Sequence, residues 1–510
     1  MREVENKMRG VFLKLVIVLM WIGVAIGIYS AVVLRTSGEL EDKLTGVVIT
    51  ENTVESRGEV VGNDAATGKL AEIESDAVMN EQPQIQEMEI VKKVDNEEEQ
   101  NAGSIRVLLM TTNYQGIYHS SLKLSCNEDF YIVMDEVEYL HSSMEEITIL
   151  ADKLNGKSIQ IEARNGGELR LANIARQDEV SYRGKLECFG TENGIVVVNE
   201  LPVEQYLYGV VPSEMPASYP MAALEAQAIS ARTYTYYHMS DYAYPEWEAH
   251  VNDSTAYQVY KNLQENESVC QAVDNTQGKV ITYQGGLIES FYYSTSCGFG
   301  AGYEVWGSEE SLPYLQVKSY TLPGSNVFVE CDEAWYRWSC VLNIASPKEL
   351  LTRIYEYGQS NQDKIVIEPK PKSLDSLLKD TVIYDIKTVQ NEKNSLVSAL
   401  TIKTKNYSVR VESQQLVRNV LALSDTCVTK QDGSTYQVGE LLPSAYFEME
   451  KLYEGKQLMK LVLSGGGMGH GVGMSQNGAK CLANEGFCAE EILKYYYEGV
   501  EVEIHDENIM

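Results

Sequence analysis

The chain has 510 residues, more than one average domain holds and enough to bury a large core. Its 42 Lys and Arg stand against 74 Asp and Glu, a formal charge of −32, so it lacks the basic face that a nucleic-acid binder needs. Tyrosine leads the aromatics, 33 against 8 Phe and 5 Trp, which fits a carbohydrate surface, exposed β structure, or plain compositional bias.

The N-terminus carries a membrane signal. Leu15 to Leu34, LVIVLMWIGVAIGIYSAVVL, is uncharged and apolar. At ~1.5 Å per residue it reaches about 30 Å, enough to cross a bilayer. Arg2, Lys7, Arg9 and Lys14 precede it and Glu39, Glu41 and Asp42 follow. The positive-inside rule then puts residues 1–14 in the cytoplasm and everything after the anchor at 15–34 outside. A cleaved signal peptide is the alternative, but its apolar core usually runs about 7–15 residues. All nine cysteines lie beyond the anchor, where disulfides can form. Cys331/Cys340 and Cys481/Cys488 are close enough in sequence to pair, and the odd count leaves at least one thiol over. The absence of a CxxC pair argues against a zinc ribbon.

Residues 35–103 read as a disordered linker, acidic and free of Phe, Tyr and Trp. A coil of that length spans roughly 45 Å on average, a tether that holds a domain away from the membrane. From Ser104 short alternating runs predict strands: SIRVLLMTT, SLKLSC, DFYIVM, ITIL, SIQIEAR. The β texture continues through RGKLECFGTENGIVVVNELPVEQYLYGVV, with a turn at Glu192-Asn193-Gly194. One strong helix follows, near Tyr219 to Met239, with Pro220 suited to its first turn. Strands resume at GKVITYQGGLIESFYYS. The stretch 308–455 mixes a helical SPKELLTRIYEYG with further strands, and the tail holds SGGGMGHGVGMSQNGAKCLANEG and a helical AEEILKYYYEGV. No fixed-period repeat is present. The whole predicts an α+β fold rich in antiparallel sheet.

Three places have the residues for chemistry. The first is VVPSEMPASYP, where Pro212 and Pro216 restrict the backbone around Glu214 and Val210, Val211 and Met215 are apolar neighbours. Desolvation in such a setting raises a carboxyl pKa and keeps the acid protonated, the state a general acid needs. A helix N-terminus nearby favours the anion instead, so burial has to win. The competing reading is that Glu214 caps that helix or pairs with Arg232. The second place is GMGHGVGMSQNGA. It lacks the endings of a phosphate loop and of a nucleophile elbow. Its alternating glycines let a backbone pass close to a ligand or another strand, and His470, Ser475 and Gln476 project polar groups from it. A structural turn is the plainer alternative. The third is SFYYSTSCGFGAGYEVWG, where Ser294, Thr295 and Ser296 form a row of hydroxyls suited to a sugar cleft. Cys297 with His470 makes a conceivable cysteine-hydrolase pair, without any local feature that lowers the thiol pKa. HVNDSTAYQVY offers only His250 and Asp253 as metal ligands and reads as a solvated loop.

Taken in order, VNELPVEQYLYGVVPSEMPASYPMAALEAQAISARTYTYY, STSCGFGAGYEVWG and GHGVGMSQNGA closely resemble the SpoIID/LytB family. The resemblance covers about Ser104 to Val502 and is loosest between Ser308 and Gly455. It implies a SpoIID-like domain over 104–503, with core blocks at about 195–307 and 456–503 around a variable 308–455. It also implies a membrane-anchored lytic transglycosylase that cuts peptidoglycan glycan strands stripped of their peptides. The family's catalytic glutamate, in its EMP motif, falls on Glu214. Arg232, Ser294, Ser296, His470, Ser475 and Gln476 are the expected substrate contacts. LytB-type members are modifiers of an amidase, which leaves a non-catalytic wall-binding protein with a cell-wall hydrolase partner as the rival function. Zinc-binding members carry a cysteine pair near the DST motif. Asn252 and Tyr257 stand at those positions here, so no metal or other cofactor is expected.

One carboxyl suffices for lytic cleavage because the sugar brings its own nucleophile, the C6 hydroxyl of N-acetylmuramic acid. Ordinary glycosidases need two. Hydrolysis by a muramidase is the third possibility and leaves a reducing end in place of the anhydro sugar.

Overall fold

The computed structural model describes residues 103–505, apart from 155, 176–179, 262–264 and 307–310. The cytoplasmic segment, anchor and linker expected at 1–14, 15–34 and 35–103 lie outside the described residues, Gly103 excepted. Within them the chain mixes α and β structure and its sheets are mostly antiparallel. Among the described residues no helix is long and apolar enough to cross a membrane.

The alternating runs after Ser104 do form strands. Ser104–Leu109 pairs antiparallel with Gly194–Pro202, and the sheet continues through Lys185–Thr191, Ser158–Ala163, Phe130–Met134 and Val137–His141. The short Val251–Asn252 joins the other edge in parallel. Gly194–Pro202 is the strand buried on two sides. Ile195 and Val197 enter the main core, while Val196 and Val198 meet Leu108 and Ala249 in a small satellite core. A strand covered on both faces reads as an unbroken apolar run, and Ile195 to Val198 is one.

At Val203 the chain turns helical, where the sequence suggested continued β structure. Helix α1 spans Val203–Glu214. Its signal was present: Val203, Tyr206, Leu207, Val210 and Val211 are buried and recur at helical spacing, directly after Pro202. Helix α2, Met221–His238, matches the helix expected near 219–239, with Pro220 at its N-cap position. From Ala223 to Tyr236 every residue but Glu225 is buried. A helix enclosed on all sides needs small residues rather than a polar face, which explains the alanines at 223, 226, 228 and 231. It packs on α1, on helix α3 (Glu267–Asn275) and on the strand Lys279–Tyr283, which pairs with the C-terminal strand Glu501–Ile504.

The variable stretch builds a core of its own. Two sheets, of five and four strands, with helices α4 (Lys348–Ser360) and α5 (Gln414–Leu421), enclose Leu342, Ile354, Leu400, Val417 and Leu461. This second lobe feeds its strand Gln457–Gly465 directly into the Gly-rich loop and then grips that loop. The Trp338 indole N–H donates to the Gly467 carbonyl at 3.1 Å, and the Gly469 amide donates to the Pro443 carbonyl at 2.9 Å. The buried Arg418 guanidinium holds the Leu442 and Pro443 carbonyls from behind. Past the loop, helices α6 (Gln476–Asn484) and α7 (Ala489–Tyr496) return to pack on α2. All nine cysteines are free thiols, so neither pairing suggested by sequence spacing forms. Cys340 faces the second core, Cys488 is exposed ahead of α7, and the Cys481 thiol lies 3.4 Å from a Glu333 carboxyl oxygen.

Candidate active site

Glu214 is the last residue of α1. The sequence suggested a helix N-terminus beside it, but the nearer terminus is the C-terminal end of its own helix, whose open carbonyls disfavour an anion. The Met215 amide closes the helix on the Val211 carbonyl at 2.9 Å, and the Met215 side chain is buried beneath. The carboxyl is half-buried, and its Oε1 accepts the Val259 N–H at 2.7 Å. Burial pushes its pKa from 4.5 up to about 7, against the Val259 hydrogen bond, the Lys261 charge and the Gln476 side chain, all of which favour the anion. Glu214 therefore holds its proton close to neutrality.

A wall of phenols and amides flanks this carboxyl. Tyr206, Tyr234 and Tyr292 all have their ionisation suppressed, by burial first and by the Glu214 charge among other causes. The Tyr292 oxygen accepts from Gln258 Nε2 at 3.2 Å. Gln258 is itself fixed by the Thr235 hydroxyl at 3.0 Å and the Ala231 carbonyl at 3.1 Å, both on α2.

The Gly-rich loop closes the site from the other side. Gly467, Gly469, Gly471 and Gly473 all have positive φ. Close passage between strands is the reason, clearest at Gly473, where φ is +78° and a Cβ would lie 1.9 Å from the Phe291 carbonyl oxygen. Only glycine lets Met474–Ser475 pair in parallel with Tyr292–Tyr293 at that distance. The loop then delivers Gln476, whose Nε2 donates to the Glu214 carbonyl at 3.0 Å. Asn477 Nδ2 donates to the Thr295 hydroxyl at 2.8 Å, and Asn477 Oδ1 accepts the Tyr219 hydroxyl at 2.5 Å. Ser294, half-buried, accepts the Asn477 N–H on its carbonyl at 2.9 Å. The three sequence blocks thus meet at one place.

Several expected substrate contacts belong to the scaffold instead. Arg232 has no exposed surface and forms a two-pronged pair with Glu204, at 2.8 and 2.7 Å, while also donating to the Lys279 and Val273 carbonyls. It ties α1, α2 and α3 together, has no exposed surface to offer a substrate, and pairs with Glu204 rather than Glu214. Ser296 is buried, with its hydroxyl on the Phe299 carbonyl. Ser475 is sealed as well: it caps α6 and donates to Glu330 at 2.6 Å. His470 accepts the Val472 N–H on Nδ1 at 3.1 Å, so its Nε2 carries the hydrogen and donates to the Tyr292 carbonyl at 3.0 Å. Burial lowers its pKa to about 4, and the ring, packed near Tyr293 and Trp306, stays neutral. Cys297 is buried with its thiol pushed up to about 11, and His470 is committed elsewhere, so no cysteine–histidine pair exists.

The HVNDSTAYQVY segment is folded in, not solvated. Asp253 is fully buried and accepts the Met110 N–H, and His250 accepts the Arg106 N–H. Asn252 takes the Ser254 N–H and hydroxyl, and Tyr257 stands edge-on to His238. Among the described residues no three His, Cys, Asp or Glu converge as metal ligands. Sequence reasoning missed Tyr219, Tyr292, Val259 and Glu330. Tyr219 lies within the ASYP stretch already singled out, and Tyr292 immediately precedes the hydroxyl row, so both were within reach. Val259 acts through its backbone, which no side-chain pattern reveals.

The family model for the stage II sporulation protein SpoIID matches residues 191–283, which contain α1 with Glu214, α2 and α3. An uncharacterized protein of Brachyspira hyodysenteriae is 31% identical over 328 residues, 63% of this chain and 72% of that protein. The chain belongs to the SpoIID/LytB family. Two named relatives bracket its range. Stage II sporulation protein D of Bacillus subtilis is 28% identical over 319 residues, 60% of this chain and 75% of that one. The amidase enhancer of Bacillus subtilis is 30% identical over 377 residues, 72% of this chain but only half of the enhancer. The SpoIID match stops before the Gly-rich loop and the second lobe, yet the structure brings that loop onto Glu214.

Proposed function

We propose that this protein is a lytic transglycosylase of peptidoglycan glycan strands, held outside the membrane by the apolar segment 15–34, with Glu214 as its single acid and base. The observation that carries the reading is a half-buried carboxyl that keeps its proton to about pH 7 with no arginine among the described residues locked onto it. The protonated Glu214 gives its hydrogen to the glycosidic oxygen as the bond from C1 of N-acetylmuramic acid breaks. The carboxylate so formed takes the proton from the C6 hydroxyl while O6 bonds to C1. The products are a 1,6-anhydro end and a new non-reducing end, and Glu214 is restored as the acid. The pKa near neutrality suits both halves, since the group must give and regain a proton at similar cost.

Positive charge on the sugar ring develops between these steps. The Tyr292 oxygen and the half-buried Ser294 hydroxyl are the fixed dipoles at the junction of the three blocks that can stabilise it. Stripped glycan incubated with the protein should yield anhydro-muramyl ends, and Glu214→Gln should abolish them. The second reading, a non-catalytic activator of a cell-wall amidase, is favoured by the amidase-enhancer relative. It predicts faster amidase action without new glycan ends, and indifference to Glu214→Gln.

A further inference from the structure

A second buried carboxyl lies behind the site, in the stretch where the sequence resemblance is loosest. Glu330 is 1% exposed. Its Oε1 accepts the Ser296 N–H at 2.9 Å and the Ser475 hydroxyl at 2.6 Å. Ser475 in turn accepts the Gly478 N–H at 3.3 Å and so fixes the first turn of α6, which begins with Gln476. Gln476 donates to the Glu214 carbonyl at 3.0 Å. One side chain from the second block's far side therefore joins the hydroxyl row, the Gly-rich loop and the end of α1.

The other carboxyl oxygen, Oε2, has no hydrogen-bond partner among the described residues, and neither does the Tyr496 hydroxyl. Both stand over Gly478, where a Cβ would lie 1.9 Å from the phenol oxygen and 3.0 Å from Oε2. Burial raises the Glu330 pKa to about 8. The nearby Glu333 adds to the rise, while Ser475, Ser296 and Lys480 oppose it. Lys480 is itself paired to Glu333 at 2.6 Å. Near neutrality Glu330 is a carboxylic acid. Its two donors crowd Oε1, which leaves Oε2 to carry the acid's own hydrogen.

We propose that Glu330 is a positioning residue for Glu214: it pins Ser475 and Ser296 so that Gln476 stays on the Glu214 carbonyl and water is kept from the carboxyl. Its effect on catalysis rests on the reading of Glu214 as the acid, but its effect on Glu214 itself does not. An amide is the isostere of a protonated acid, so Glu330→Gln keeps both acceptor bonds and puts an NH2 where the acid has its O–H. Glu330→Ala removes the anchor. Ser475→Ala breaks the same link one residue later, with little change in volume.

The test follows the Glu214 carboxyl directly, by carbon-13 NMR titration of the full-length protein in detergent, with Glu214→Gln identifying the signal. In Glu330→Ala the Glu214 pKa should fall from about 7 toward 4.5, because burial is its largest cause, the loosened turn admits water, and that outweighs the loss of the Gln476 contact, the last of the causes that favour the anion. Anhydro-product formation should drop about 10²-fold, the scale of a misplaced catalytic group. Glu330→Gln should restore both readouts, and Ser475→Ala should reproduce the shift should the alanine variant at 330 not fold. A Glu214 titration unmoved in both Glu330→Ala and Ser475→Ala, or one that collapses equally in Glu330→Gln, would overturn the proposal. If the wild type makes no anhydro ends yet the titration shifts as described, the positioning role stands and the transglycosylase reading falls.

Discussion

Replacing Glu214 by Gln should make the protein more stable above neutral pH and leave it unchanged in acid. The folded-state pKa is raised from 4.5 to about 7, so the folded protein holds a proton that the unfolded chain has released. Below about pH 4.5 both states are protonated and the site costs nothing. Between 4.5 and about 7 each pH unit removes about 1.4 kcal/mol of stability, and above 7 the penalty is flat. The full span is about 3 kcal/mol, and the solvent that still reaches a half-buried group trims it to about 2 kcal/mol. Glutamine keeps the acceptor for the Val259 N–H and never ionises. Urea unfolding followed by tryptophan fluorescence, at about pH 5 and about pH 8, gives the comparison. The burial of Glu330 is common to both proteins and cancels. The variant should exceed wild type by only about 0.5 kcal/mol at the lower pH and by about 2 kcal/mol at the higher. A difference that does not change with pH, or a less stable variant at about pH 8, would mean that Glu214 is not desolvated and the acid chemistry loses its basis.

Arg232→Met leaves the Glu204 carboxylate without its cation and takes a donor from the Lys279 and Val273 carbonyls, so stability should fall by about 3 kcal/mol in thermal unfolding. A second change, Glu204→Gln, should recover part of that loss, whereas weaker glycan binding at unchanged stability would return Arg232 to the substrate site. Gly473→Ala should cost about 3 kcal/mol or more, since it combines positive φ with a 1.9 Å clash against backbone. Gly433→Ala, with φ +82° and open space around it, should cost only about 1 kcal/mol, and equal losses at the two positions would deny the close strand passage.

The sequence carried the strands of the first sheet, the buried helix α2 and the polar junction at Glu214, because each leaves a local imprint: alternation, an alanine-rich run, a proline-flanked carboxylate. Helix α1 left one too, a stripe from Val203 to Val211, but the apolar strand before it masked the change of period. The second lobe was hidden for a different reason. Its elements were legible singly, while the fact that they close around a separate core depends on long-range pairing, as between Trp338–Asn343 and Gln457–Gly465. The site residues divide the same way. Polar type and a Gly-rich setting picked out Ser475 and His470, yet only packing decides that one caps a helix and the other braces Tyr292. Glu330 had no imprint at all: a lone glutamate in Val329-Glu330-Cys331 gains its meaning only from partners 34 and 145 residues away.

The most direct measurement is mass spectrometry of the ends released when the full-length protein in detergent acts on peptide-stripped glycan strands, wild type beside Glu214→Gln. Muramyl termini lighter by one water than a reducing end, made by the wild type and lost with the glutamine, are what the account requires. Reducing ends, or anhydro ends still formed at full rate by Glu214→Gln, would contradict it.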